Sequence, residues 1–142
     1  TENEVTWIIE YYHNGRGYDQ SVLDQYYDLL WRAIGEDASA QITQKARQLM
    51  QSGYNKMNPA QDYLYLRASI SEPFDWLYTT PAITLMTNLH DQSFQIAPEV
   101  SYTGFQNIEL RGRLIWLVGN TRTEWGEKLS DKRAELYIRW YF

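Results

Sequence analysis

The chain finishes on Arg133-Ala134-Glu135-Leu136-Tyr137-Ile138-Arg139-Trp140-Tyr141-Phe142, a stretch in which apolar and polar side chains alternate. Successive side chains on a β-strand point to opposite faces. One face of this stretch therefore carries Ala134, Leu136, Ile138, Trp140 and Phe142, while charged and phenolic side chains occupy the other. A helix would mix the two sets, so the pattern predicts an amphipathic strand with one wholly apolar face.

The same two-residue period recurs in earlier segments, near residues 5–12, 63–70, 83–89, 94–103 and 108–118. We expect six strands of roughly 9–11 residues, the length with which a tilted strand crosses a lipid bilayer. The sequence thus predicts an all-β, antiparallel, up-and-down transmembrane β-barrel. Since single-chain membrane barrels begin at about eight strands, this chain is expected to be part of a larger barrel. The remaining strands would come from the same protein, another chain or further copies.

Between the first two predicted strands the apolar spacing becomes helical. The positions with this spacing are Val22, Leu23, Tyr26, Tyr27, Leu30 and Ile34, followed by Ile42, Ala46, Leu49 and Met50. We therefore predict a single barrel segment over residues 1–142, with a long loop at 14–60 that carries one or two short helices. If the chain ends in the periplasm, this loop is extracellular.

Composition excludes several classes of protein. A net charge of −5 and a pI of about 5.0 provide no basic surface for nucleic acid. The chain has no Cys, which excludes a disulfide scaffold and a thiolate metal site, and no metal or cofactor is expected. No window approaches the roughly 18–20 uncharged apolar residues of a transmembrane helix.

Aromatic residues make up 15% of the chain, with six Trp, twelve Tyr and four Phe. In the barrel interpretation many of them lie near strand ends, the depth that aromatic rings prefer in a bilayer. The predicted membrane girdle consists of Trp7, Trp76, Tyr102, Trp116, Trp140 and Phe142. Aromatic residues are also common in strands of every class, so these positions fit an ordinary sheet as well.

The face opposite the apolar one would line the barrel lumen. Its charged members are Glu10, Arg67, Glu99, Glu109, Arg111, Arg113, Arg133, Glu135 and Arg139. As a functional site, a ladder of arginines on neighbouring strands would attract anionic solutes and set pore selectivity. As structural elements, the Arg and Glu side chains would pair across strands and fill a narrow lumen. The sequence leaves both interpretations open.

The last ten residues resemble the C-terminal signature strand of Gram-negative outer-membrane β-barrel proteins, which end in Phe with an aromatic or apolar residue two positions earlier. Leu136, Ile138, Trp140 and Phe142 match that motif, although Trp140 stands where Tyr is commoner. The resemblance implies an assembly signal for the barrel-assembly machinery, contact with outer-membrane lipid and a location in the bacterial outer membrane. No particular family within this group is identified.

These features predict the C-terminal portion of a barrel that acts as a pore, transporter or scaffold component and not as an enzyme. One alternative is a soluble antiparallel β-protein that binds a carbohydrate or an apolar ligand. Another is an interaction module whose 14–60 loop docks a partner. A third is an outer-membrane lipid hydrolase: His13-Asn14-Gly15-Arg16 faintly resembles the stretch around the catalytic His of outer-membrane phospholipases, but Gly15 stands where their Ser is expected.

Overall fold

A computed structural model describes residues 4–35, 38–52 and 58–142, and within these ranges the chain forms six strands and two α-helices. The strands are β1 (Val5–His13), β2 (Asp62–Ile70), β3 (Thr79–Asn88), β4 (Phe94–Phe105), β5 (Ile108–Val118) and β6 (Lys132–Trp140). The helices are α1 (Gln20–Ile34) and α2 (Ala40–Ser52), and a 3₁₀ turn lies at Pro73–Asp75. In the described part of the chain, no helix has the length and apolar character needed to span a membrane.

Each strand pairs antiparallel with the next along the chain, in the order β1-β2-β3-β4-β5-β6. The predicted antiparallel, up-and-down order is therefore confirmed, as are the two short helices between β1 and β2. The sheet is open: among the described residues β1 and β6 are edge strands and do not pair with each other. This chain by itself is not a closed barrel.

Two predicted boundaries differ from the structure: β3 begins at Thr79 and not near 83, and the final strand is shorter than predicted. The sequence predicts a strand that reaches Phe142, whereas β6 ends at Trp140. The reason is the length of its partner, because Trp140 lies opposite Ile108, the first residue of β5. One further hydrogen bond, from the Tyr141 amide to the Asn107 carbonyl at 2.8 Å, follows the last strand pair. Positions 36–37 and 53–57 of the predicted 14–60 loop lie outside the described residues.

The strand register divides the sheet into two faces, since directly opposed residues on neighbouring strands point the same way. The uncharged members of one face, here called the apolar face, include Val5, Trp7, Ile9, Tyr11, Leu64, Leu66, Ala68, Ile70, Thr79, Pro81, Ile83, Leu85, Thr87, Phe94, Ile96, Pro98, Val100, Tyr102, Ile108, Leu110, Gly112, Leu114, Trp116, Val118, Ala134, Leu136, Ile138 and Trp140. Among the described residues, three strand residues of this face carry an acidic, basic or imidazole side chain, and each lies at a strand terminus. They are His13, Asp62 and Lys132.

Within the sheet, the polar face is more buried than the apolar face. Every buried residue of the described strands lies on the opposite, polar face; these residues are Tyr63, Ala82, Thr84, Asn88, Ala97, Glu99, Glu109 and Ile115. Glu99 is only 7% exposed, whereas Ile138 and Trp140 on the apolar face are 68% and 72% exposed. Apolar side chains normally occupy the interior of a soluble domain.

The connections between strands define two ends of the sheet. The loop end carries the segments 14–61, 89–93 and 119–131, and the turn end carries 71–78 and 106–107. At the loop end, α1 packs on the polar face: Leu23 and Tyr27, one helical turn apart, contact Tyr63 of β2 and Trp125 of the 119–131 segment. These side chains, with Ala60, form the buried core.

The helical insertion is held at both of its ends. The Asp19 carboxylate accepts a hydrogen bond from the Ser21 amide at 2.8 Å and caps α1, and this bond lowers the pKa of Asp19. The Tyr18 amide donates to the Pro59 carbonyl at 2.7 Å, which joins the start of the insertion to its end. Gly17 lies against the Ala60 backbone, where a Cβ would collide with the carbonyl.

We expect Leu23→Ala to lower the free energy of unfolding by about 2–4 kcal/mol, because it leaves a cavity between α1 and the sheet. The matched control is Val22→Ala on the neighbouring helix position, where the side chain is 38% exposed. Equilibrium denaturation of both variants measures the difference. An equal loss of stability in the two variants would contradict the packing of α1 on the polar face.

Candidate functional site

All the charged residues predicted to line a lumen lie on the polar face. Their pairing is uneven, because two carboxylates each accept two arginines. Glu99 contacts Arg67 at 2.9 Å through Oε1 and Arg113 at 3.3 Å through Oε2. Both guanidinium groups therefore converge on one buried carboxylate, which is the usual condition for burying an ion.

Glu109 repeats this arrangement one strand further along. Its Oε1 lies 2.6 Å from Arg111, and its Oε2 lies 3.3 Å from Arg139 and accepts a hydrogen bond from the Tyr141 hydroxyl at 2.9 Å. Arg133 pairs instead within β6, with Glu135 at 2.8 Å. The arginines thus have carboxylate partners, as the structural interpretation of the sequence expects, but the four that converge on Glu99 and Glu109 outnumber these two carboxylates.

Glu10 lies apart from these pairs. It is on the edge strand β1, directly opposite Tyr65. Within the described residues no ion pair joins it to an arginine. The structure therefore places Glu10 on the predicted face but does not bring it into the arginine cluster.

The pair between Arg67 and Glu99 spans a whole strand, because β3 lies between their strands β2 and β4. Arg67 crosses β3 at Thr84, whose hydroxyl lies 3.1 Å from the guanidinium, and reaches Glu99 beyond it. Thr84 and Ala97 are opposed residues along this path, and both are buried. Small side chains beneath Arg67 thus allow the long side chain to lie along the sheet.

A groove of about 360 Å³ lies over β4, β5 and β6, and its charged walls are Glu99, Glu109, Arg111, Arg113 and Arg139. The Nε atoms of Arg111 and Arg113 are shielded from solvent and make no hydrogen bond. Arg113 Nε lies near Glu99 at 3.3 Å but without the geometry of a hydrogen bond. The groove therefore holds donors that the chain itself leaves unsatisfied.

A second polar cluster lies at the loop end, beneath α1. Glu124 of the 119–131 segment is 2% exposed, and its Oε2 accepts hydrogen bonds from the Tyr63 hydroxyl at 2.7 Å and the Asn88 amide at 3.1 Å. The Glu124 amide donates to Asp91 at 2.7 Å. The ring of Trp125 meets that of Tyr63 edge-on, with centroids 6.0 Å apart. The 119–131 segment is thus folded onto the polar face and is not a loosely attached loop.

Burial raises the pKa of Glu124 to about 7. The hydrogen bonds from Tyr63 and Asn88 and the charge of Lys128 act in the opposite direction, and the charge of Asp91 acts with burial. The second oxygen, Oε1, is buried without a hydrogen-bond partner. The same burial and the nearby Glu124 charge raise the pKa of Tyr27 on the covering helix.

A third cluster joins both histidines of the chain to one carboxylate. His13 Nδ1 lies 2.7 Å from Asp62 Oδ1, and His90 Nε2 lies 2.7 Å from Asp62 Oδ2. The Tyr11 hydroxyl donates to the same Oδ1 at 2.6 Å. In the part of the chain that the structure describes, the hydrogen bonds of both rings lead to Asp62 and none to a serine hydroxyl.

The predicted girdle residues occupy both ends of the sheet. Trp7, Tyr102 and Trp140 lie on the apolar face toward the turn end, Trp116 lies on that face toward the loop end, Trp76 lies in the 71–78 segment, and Phe142 follows β6. Leu136, Ile138 and Trp140 of the predicted assembly signal are exposed along the edge strand β6. Contact with lipid and with an assembly machinery remains a prediction.

Among the described residues no group of three potential His, Cys, Asp or Glu ligands is arranged to hold a metal ion. No protein-family model, curated protein or solved structure matches this chain.

Two of these clusters were not predicted from the sequence. The sequence of residues 120–131 predicts a polar loop, but in the structure Trp125 is buried within this segment. Gly126 is packed so closely that a Cβ would collide with the Asn120 carbonyl. A lone Trp next to Gly is the only sequence signal of such folding. Nothing in the spacing of His13, Asp62 and His90 indicates that they meet.

We expect the free energy of unfolding to fall by up to about 3 kcal/mol as the pH rises from about 4.5 to about 7. In this window folded Glu124 keeps a proton that the unfolded chain has released, so rising pH favours the unfolded state. Denaturation at about pH 5 and about pH 8 measures the effect. Glu124→Gln should remove the difference and Asp131→Asn, at an exposed acid of the same segment, should leave it; an unchanged pH dependence in Glu124→Gln would refute the assignment.

Proposed function

We propose that this chain is a wall segment of a bacterial outer-membrane β-barrel, with its apolar face in contact with lipid and its polar face lining the lumen. The observation that carries the proposal is the inverted burial of the sheet: charged Glu99 and Glu109 are buried while Leu136, Ile138 and Trp140 are exposed. In water an exposed apolar side chain such as Leu or Ile forgoes the roughly 1.5–3 kcal/mol of favourable free energy that its burial would contribute. In a bilayer the same exposure is favourable.

The distribution of charge supports this orientation. On the apolar face, ionisable groups of the acidic, basic and imidazole types lie only at strand termini, at His13, Asp62 and Lys132. Charges at the centre of the lipid-facing surface of a barrel are destabilising, whereas charges near its rim are tolerated. The loop end, where the Asp62 cluster lies, then corresponds to one rim of the barrel.

The two edge strands define what the proposed barrel still requires. Unpaired backbone groups of β1 and β6 would cost several kcal/mol each in lipid. Further strands of the same protein, another chain or additional copies must therefore pair with them. The apolar faces of β1 and β6 carry alternating large residues, so such pairing would continue the apolar face around the barrel.

The soluble alternative requires a second apolar layer over Leu66, Leu85, Ile96 and their neighbours. In the described chain both helices belong to the insertion at the loop end, and α1 packs on the polar face. A carbohydrate-binding or apolar-ligand-binding sheet would thus need its cover from elsewhere. We favour lipid because a bilayer covers the apolar face over all six strands.

The orientation is tested by lipid-borne quenchers, which reach only side chains that face the bilayer. The chain has no Cys, so single-cysteine variants can be labelled without background. In vesicles that contain spin-labelled lipid, we expect strong quenching of a fluorophore at Ile138→Cys and Leu136→Cys. Quenching should be weak at Tyr137→Cys, whose wild-type side chain belongs to the polar face and is 50% exposed.

Equal quenching at the adjacent positions 137 and 138 would exclude a lipid-facing apolar surface. Recovery of the protein from cells in the aqueous fraction without detergent would exclude a membrane location altogether. A folded barrel should in addition migrate differently on gels before and after heating.

A pore function, as distinct from a scaffold, predicts ion conductance in planar bilayers. Replacing Arg111 and Arg113 by Glu should shift the ion selectivity toward cations, because both side chains line the groove on the lumen face. Arg133→Glu, on the same face but outside the groove, should have a smaller effect. Conductance with unchanged selectivity in the double variant would indicate that these arginines serve only the structure of the wall.

A further inference from the structure

We infer that the groove over β4, β5 and β6 is a binding site for a small multivalent oxyanion, with a phosphate or carboxylate group held by Arg111, Arg113 and Arg139. The inference deepens the proposed function by naming a ligand class for the polar face, and it rests on that function for the access of solutes to the groove. The inference is based on the contacts around Glu99 and Glu109.

The first argument is the local charge. Arg67 and Arg113 share Glu99, while Arg111 and Arg139 share Glu109. Four guanidinium groups against two carboxylates leave an excess of two positive charges in this part of the wall. Arginines of like charge repel one another, and a bound anion with about two negative charges would compensate the excess.

The second argument is the count of hydrogen-bond acceptors. Both oxygens of Glu99 face an arginine, and both oxygens of Glu109 already have partners, so neither carboxylate has an oxygen without a cationic neighbour. A guanidinium carries five N–H donors, and the buried Nε atoms of Arg111 and Arg113 make no hydrogen bond. The N–H groups on the exposed part of each guanidinium can donate to an anion in the groove. Phosphate and carboxylate oxygens match the planar arrangement of guanidinium donors.

The third argument is space. The groove of about 360 Å³ falls within the range of about 300–1,000 Å³ that is typical of small-molecule pockets. Arg111 and Arg113 are 37% and 30% exposed, so their side chains are accessible from the groove although their Nε atoms are shielded. The volume admits an organic phosphate or a dicarboxylate as well as inorganic phosphate.

The test is titration of the folded protein in detergent micelles with inorganic phosphate at low ionic strength, followed by calorimetry. Arg111→Gln and Arg113→Gln should each weaken binding by about tenfold or more, the usual consequence of losing a charge-assisted hydrogen bond. Arg133→Gln is the matched control, since Arg133 lies on the same face, pairs with Glu135 and does not line the groove. It should change the affinity less than about twofold.

A variant of opposite sign separates binding from loss of structure. Glu109→Gln removes the carboxylate shared by Arg111 and Arg139 and raises the positive excess, so it should tighten phosphate binding severalfold. Misfolding would weaken binding and would not imitate this result. If Glu109→Gln does not fold, the comparison of Arg113→Gln with Arg133→Gln decides.

Absence of phosphate binding by the wild-type protein would overturn the site, and so would an equal loss of affinity in Arg113→Gln and Arg133→Gln. Succinate in a parallel titration shows whether the groove selects phosphate or also accepts a dicarboxylate. Failure of this inference is distinguishable from failure of the barrel proposal, because lipid quenching at position 136 reports on the apolar face, and Leu136 does not line the groove.

Discussion

The structure depends on one constraint, the opposite polarity of the two faces of a single sheet. Alternation along a strand is obligatory, so a sequence that places Leu, Ile and Trp on one face must place every second residue on the other. Here those alternate residues include Glu99 and Glu109, and both are buried. Burying a charge is tolerated when it is paired and hydrogen-bonded, and arginines of the same face supply the partners.

The same constraint accounts for the small residues of the polar face. Arg67 lies across β3 to reach Glu99, and a large side chain at Thr84 or Ala97 would obstruct that path. Charge pairing and side-chain size are therefore coupled in this wall. The groove over β4, β5 and β6 lies beyond this path, where Arg111, Arg113 and Arg139 meet the two buried carboxylates from the other side.

The strands and their faces were predictable because alternation is a local property of the sequence. Whether Glu99 or Arg113 occupies an odd or an even position along its strand determines which face of the sheet it lies on, and no other strand enters into this. The ion pairs were not predictable in the same way, since the partner of Arg67 depends on the register of two strand pairs at once. The end of β6 likewise depends on where β5 begins, which is information from a segment 32 positions away, as the pairing of Ile108 with Trp140 shows. The open sheet follows from the strand count, because six strands of this chain leave β1 and β6 without partners among the described residues.

The loop end was the least predictable part, and it changes how the polar face is understood. Three separate connections meet there: α1 covers Tyr63, the 89–93 turn supplies Asp91, and the 119–131 segment inserts Glu124 and Trp125. Such convergence depends on contacts between segments more than 30 positions apart, for which a single sequence contains no local pattern. Because Glu124 is buried between the inserted segment and the polar face, its ionisation opposes the docking of that segment.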